Sequence, residues 1–291
     1  MFLSGSTIIG GALKTSKHDN KTYQTFSLEN GMTVLVVEAP NVQNSACSLV
    51  INTGSFDDPQ DRPGFAHFIE HLLFNGNQKY PQPHLLNNFV AQHSGHCNGW
   101  TSTEHSSFHF DIQTEYFPQA LDYFAHMFIE PLFSNDAIEK ETNAIHAEFK
   151  LKLKDDSRRI QQVHKETANP QHPFAKFSVG NRQTLSNLPE RPVVEELTQF
   201  WQQQYQAQFM TLAVVSNQPI DEVVPLIKSL FSNINGTNKG ATDNTQRQTK
   251  KSSVPLYLPE QLSTLIKIEP IKELHKLNIT FALPSINDWY K

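Results

Sequence analysis

The chain has 291 residues, 38% of them apolar and 18% charged, with 20 Phe, a net charge of −5 and two cysteines. That composition supports one large packed domain, or one domain and part of another. It excludes a disulfide framework and a nucleic-acid surface, which needs clustered Lys and Arg, and no apolar run reaches the ~20 residues that span a bilayer.

Residues 1–20 read as an N-terminal tail. No basic residue precedes Lys14, so a signal-peptide start is not visible. The expected compartment is the cytoplasm, with the periplasm as the alternative. "TYQTFSLENGMTVLVVEAP" predicts a hairpin turning at Asn30-Gly31. "ACSLVINTG" (46–54) is almost wholly apolar and predicts a central strand. A polar loop leads into "GFAHFIEHLLFNG" (64–76), which reads as a helix. "PHLLNNFVAQHSG" predicts a second helix ended by Gly95. "HCNGWTSTEHSSFHFDIQ" (96–113) predicts a strand pair, its second half alternating in period two. Helices are expected over 118–133 and onward from a cap at Ser134 or Asn135. A helix at 193–206, a strand at 210–216 and a helix interrupted by Pro225 follow. Residues 21–234 thus read as one α+β domain. Residues 235–253 are a polar linker. Residues 254–291 read as the first strands of a second, truncated domain, in "LSTLIKIEPI" and "KLNITFALP".

The helix at 64–76 carries the chemistry. On a helix each residue advances ~100°, so His67 and His71 stand ~40° apart on one face. Phe68, Ile69, Leu72 and Leu73 fall on the opposite face. Glu70 lies beside the two imidazoles, where it can reach a bound water without being a ligand. This is the H-x-x-E-H arrangement of the inverzincins. Two histidines supply nitrogen ligands to one Zn²⁺ per chain, and a third ligand must come from another element. Zinc lowers the pKa of a water, and a carboxylate takes its proton. The helix "EKETNAIHAEF" offers Glu139, Glu141 and Glu148. Glu141 and Glu148 share a face but are ~10.5 Å apart along the axis, so one would be the ligand and the other a supporting acid.

"AHFIEHLLFNGNQKYP", "ETNAIHAEF" and "NPQHPFAKFSVGNRQTL" together resemble the insulinase/pitrilysin family of zinc metallopeptidases, over about residues 21–235. The resemblance implies zinc held by His67, His71 and Glu148, the last standing at the family's spacing from the second histidine. It implies Glu70 as general base and Glu141 as the supporting acid. It also implies a two-layer sandwich, a mixed, mainly antiparallel sheet covered by helices, as in the insulinase/mitochondrial processing peptidase-like fold. "HCNGWTSTEH" resembles the family's edge strand beside the zinc, so Asn98, Gly99 and Trp100 are expected to contact a peptide, and Phe74 matches a pocket position. The expected function is hydrolysis of unfolded peptides. The expected partners are peptide substrates and the missing C-terminal half of a longer enzyme, without which the chain should be weakly active. Two alternatives remain: a non-catalytic peptide-binding or assembly module, and a small-molecule hydrolase or lyase using the same motif. The lyase with this motif takes a cysteine as third ligand, and neither Cys47 nor Cys97 is so placed. His93, His96, His105 and His109 have no spacing that builds a second metal site.

Overall fold

The hairpin forms as the Asn-Gly pair predicts. β1 (Thr22–Ser27) and β2 (Thr33–Glu38) pair antiparallel, and Gly31 takes the left-handed conformation at φ 90°. Buried Asn30 ties this turn to residues some 200 positions later by donating to the carbonyls of Phe231 (2.8 Å) and Ile234 (2.9 Å). The computed structural model describes residues 15–237, 254–273 and 275–283. β3 (Asn44–Ile51), β4 (His96–Thr101), β5 (Ser106–Gln113) and β6 (Met210–Ser216) complete one sheet in the order β1-β2-β6-β3-β5-β4. Every pairing is antiparallel except β2 with β6. β3 is interior, as its apolar run requires, and β4 is an edge.

The helices are α1 (Phe65–Leu73), α2 (Leu85–Gln92), α3 (Phe117–His126), α4 (Asn135–Lys152), α5 (Asp156–Glu166), α6 (Arg182–Leu185), α7 (Val193–Gln204) and α8 (Ile220–Phe231). They cover one sheet face in the two-layer arrangement. Strand burial alternates to match, as in β3, where Ser45, Cys47, Leu49 and Ile51 are buried and their neighbours are not. Phe108 and Phe110 from β5 meet Phe117, Phe124 and Phe128 below them, ring centroids 5.2–5.7 Å apart. This aromatic packing uses much of the Phe content.

Several expectations need correction. The third helix stops at His126, not 133, because Pro131 follows and the backbone there bonds sideways. Leu132 N donates to Gly76 O (3.1 Å) and Gln78 N to Glu130 O (3.0 Å). α2 is terminated by Ser94 at φ 58°, not by a left-handed Gly95. α5 and α6 add to the helices expected from the sequence. α5 is polar and starts on a cap in which Asp155 accepts from Arg158 N (2.8 Å). The strands expected at 262–271 and 276–284 do not form among the described residues. A strand needs a ladder partner, and no described residue pairs with them. Segment 254–273 instead lies along α5, where Asp156 accepts from Ile271 N (3.1 Å) and Arg159 donates to Glu269 O (3.0 Å). Leu265, Leu277 and Phe281 are left 78–80% exposed. Most of the tail at 1–20 and of the linker at 235–253 lies outside the described residues. No described helix is long and apolar enough to cross a membrane.

Candidate active site

α1 is anchored at its start and fully packed on one side. Phe68, Ile69, Leu72 and Leu73 have no exposed surface. Asp58 accepts from the Gly64 (2.7 Å) and Ala66 (2.8 Å) amides, satisfying donors that the first helical turn leaves free. Buried Arg62 donates to Glu196 and to the carbonyls of Thr184 (3.2 Å) and Ser186 (2.6 Å), fixing the approach to the helix from α6 and α7. The opposite face of α1 therefore points one way only.

On that face the rings of His67 and His71 meet edge to face, 4.8 Å between centroids. Each has one nitrogen already engaged. His67 Nδ1 is 2.7 Å from the Val179 carbonyl, which can only accept, so that nitrogen carries the proton. His71 Nδ1 is 2.9 Å from Glu141 Oε2. Both Nε2 atoms are left facing Glu148 Oε2, at 3.5 Å for His67 and 3.9 Å for His71. The three donor atoms lie within 4.8 Å of one another and can hold a metal ion. It is the one such group of three or more His, Cys, Asp or Glu among the described residues, and the histidines at 93, 96, 105 and 109 do not converge. Two imidazole nitrogens and a carboxylate oxygen make a donor set that suits zinc.

The two imidazoles differ electrostatically. Burial, then the charge of His71, pushes the His67 pKa down against Glu70, the Val179 carbonyl and Glu148. Burial also acts to lower His71, but the hydrogen bond and charge of Glu141, with Glu70 and Glu148, leave it raised. Glu148 is half-buried, which opposes its ionisation, yet Lys152 Nζ at 2.5 Å from its Oε1 and the charge of His67 hold its pKa below the usual carboxylate value. Glu141 is likewise lowered despite burial, by His71 and by Asn75.

Glu70 stands beside the pair, and its Oε2 accepts from Thr101 Oγ1 at 2.7 Å. Thr101 ends the edge strand β4, which passes close over α1. At Gly99 a Cβ would come 3.3 Å from Glu70 Cγ and 3.1 Å from the Phe108 ring. The ladder places the open edge. Ser102 N donates to His105 O (2.8 Å), so by antiparallel alternation Asn98 and Trp100 bond to β5, and Cys97, Gly99 and Thr101 turn their amides and carbonyls outward. The side chains of Asn98 and Trp100 project to the face away from Glu70. Both are exposed, Trp100 by 47%, and Asn98 Oδ1 accepts from Gly99 N (2.9 Å). Phe74 closes α1 and is partly buried, its ring 6.0 Å from that of Phe108.

Four contributors lie outside the expected site residues. Asn75, one turn after His71, donates to the His71 carbonyl (3.0 Å) and to Glu141 Oε1 (3.1 Å), and its i,i+4 spacing was a readable signal. Thr101, two residues after Gly99, shares that strand face. Lys152 follows Glu148 by one turn. The Val179 carbonyl has no side-chain signature at all.

Two family models match the chain. Residues 33–173 match Insulinase (Peptidase family M16), and residues 193–291 match the Peptidase M16 inactive domain. Among curated proteins, the chain is 34% identical to Insulin-degrading enzyme-like 1, peroxisomal, of Arabidopsis thaliana, over 98% of this chain and 29% of that one. It is 33% identical to the A-factor-processing enzyme of Saccharomyces cerevisiae, over 94% and 26%. It is 34% identical to the insulin-degrading enzyme of Homo sapiens, over 97% and 27%. The crystal structure of pitrilysin superposes with a TM-score of 0.80 and 33% identity, over 88% of this chain and 27% of that one. The chain thus spans between a quarter and three-tenths of the length of these relatives.

Proposed function

The chain belongs to the insulinase family, peptidase family M16, and from that premise we propose that it is the zinc-binding part of a metalloendopeptidase acting on unfolded peptides. One observation carries the reading. Both histidines have their Nδ1 atoms occupied, and both Nε2 atoms face the same oxygen of Glu148.

In this reading His67, His71 and Glu148 hold one zinc ion. Bound there, zinc would supply Lewis acidity, polarising a peptide carbonyl and bringing the pKa of a water toward ~7. Glu141 and Val179 keep the two imidazoles in the tautomer that leaves Nε2 free to bind. Glu70 takes a proton from the attacking water and passes it to the departing amine nitrogen. Thr101 orients Glu70 by occupying one lone pair of Oε2.

The substrate is placed by the sheet. A peptide added to the open edge of β4 pairs with the outward carbonyl of Gly99 and, by displacing Asn98 Oδ1, with the Gly99 amide. The missing Cβ there brings that added strand close to Glu70. Its alternate side chains meet Asn98 and Trp100 on one face and approach Phe74 on the other. Peptide substrates fit this mode because the ladder reads backbone, not sequence. A second half, such as the family resemblance implies, is the proposed partner that encloses the peptide against this edge. Enclosure holds the carbonyl in line, and a misplacement of ~1 Å costs on the order of 10²-fold.

The test combines metal analysis with a fluorogenic peptide, using the chain alone and with the second half added in trans. One zinc per chain and turnover that depends on Glu70 are expected. A chain that binds no zinc, or whose peptide turnover survives Glu70→Gln, overturns the reading. Peptide binding without turnover under both conditions selects a non-catalytic module.

A further inference from the structure

His67 is oriented by a backbone carbonyl, and a carbonyl has no side chain of its own to place it. Val179 lies in the stretch 176–180 between α5 and α6, and two lysines fix that stretch. Lys165, on α5, is 5% exposed. Its ammonium donates to Lys176 O (3.3 Å) and to Ser178 Oγ (2.6 Å), the latter one residue before Val179. Lys176 donates to the carbonyls of Phe56 (3.0 Å) and Asp58 (2.8 Å), joining the same stretch to the residue that caps α1. Gly64 and Gly180 complete the contact. A Cβ on Gly64 would sit 2.5 Å from Gly180 Cα, and both residues have positive φ (102° and 82°), so the backbones touch where α1 begins.

Burying an ammonium among neutral oxygens is unfavourable. Burial lowers the Lys165 pKa, opposed by the charge of Asp58. A methionine would fill the same space without that cost; it would lose the attraction of Asp58 and the two hydrogen bonds to the 176–178 stretch. The hydrogen bonds of Lys165 fall on Lys176 and Ser178, three residues and one residue before Val179.

We propose that Lys165 is a positioning residue for His67: its ammonium fixes the 176–178 backbone so that the Val179 carbonyl holds the proton on Nδ1 and leaves Nε2 free for a metal. The inference rests on the zinc reading for its purpose but not for its geometry.

The experiment compares wild type with Lys165→Met by two measurements. The first is zinc affinity by chelator competition. The second is solvent exchange of the His67 and His71 Nδ1 protons in metal-free protein, by NMR with ¹⁵N-histidine. Zinc affinity is expected to fall about 10-fold or more. The His67 proton is expected to exchange faster, with the His71 proton, held by Glu141, unchanged. The exchange result decides. An unchanged His67 rate, or equal acceleration at both histidines, overturns the proposal, the second because it is general loosening. If Lys165→Met does not fold, Ser178→Ala removes one of the two contacts and is read the same way. If wild type binds no zinc, the zinc reading fails while the exchange comparison still decides the role of Lys165.

Discussion

Glu141→Gln tests the tautomer argument, and its size can be worked from the contacts. Both oxygens of Glu141 receive donors: Oε2 from His71 Nδ1–H at 2.9 Å and Oε1 from Asn75 Nδ2 at 3.1 Å. A glutamine offers one oxygen and one NH₂, so it must turn a donor toward one of them. Leaving a buried donor unmet costs about 1–3 kcal/mol. The alternative is worse for metal binding. If His71 moves its proton to Nε2 to accept from the new NH₂, the ligand lone pair is lost. Zinc affinity should therefore fall about 10–100-fold at about pH 8, which is about 1.4–2.7 kcal/mol. The pH dependence has a definite sign. Glu141 raises the His71 pKa, so in wild type a proton competes with zinc from a higher pH than it does in the variant. The deficit of Glu141→Gln should shrink as pH falls from about 8 to about 5. Chelator competition across that range, with circular dichroism to establish folding, measures it. A deficit that stays constant or widens in acid would refute the assignment of Glu141 as the group that sets His71 protonation.

Glu148→Gln should lose most bound zinc, whereas Glu70→Gln should keep it and lose peptide turnover; metal analysis of both variants separates the roles, and full occupancy in Glu148→Gln would sink the ligand assignment. Gly99→Leu should retain zinc yet lower kcat/KM by about 10²-fold or more, since its Cβ begins 3.3 Å from Glu70 and must shift the carboxylate or the edge strand. Leu72→Ala should cost about 2–5 kcal/mol of stability in urea titration, because the side chain is fully buried behind His71. A loss under about 1 kcal/mol would mean that the α1 core face is not packed as described.

The sequence made the type of site legible but not its orientation. His67, Glu70 and His71 are local, and their shared face follows from helix geometry alone. Glu148 could be chosen over Glu141 only by a family spacing, because helix periodicity puts both on one face. What no periodicity carries is the anchoring of each imbigous ring nitrogen: the acceptors for His67 and His71 come from residues 112 and 70 positions away. The fold shows the same division. Asn30-Gly31 specifies its turn locally, and the alternation of "SFHFDI" specifies its face. The apolar runs after residue 261 have strand character too, but strand formation depends on a neighbour, and the run itself does not say whether one is present.

The charges around the two histidines explain why these residue types belong together. Glu70, Glu141 and Glu148 bring three formal negative charges into one small volume, and Lys152 returns one positive charge through Glu148 Oε1. The balance is −2 with both imidazoles neutral. Like charges gathered in a half-buried setting repel, and here His67, His71, Asn75 and Lys152 offset this and hold Glu141 and Glu148 below the usual carboxylate value. Protonating the histidines relieves this only in part, since burial works against His67 becoming charged. A single divalent cation, as proposed above, would cancel the balance and take up the two Nε2 lone pairs that the hydrogen bonds leave free. Lys152 then has a second consequence. By holding Oε1 it leaves Oε2 as the oxygen of Glu148 that faces both imidazole Nε2 atoms.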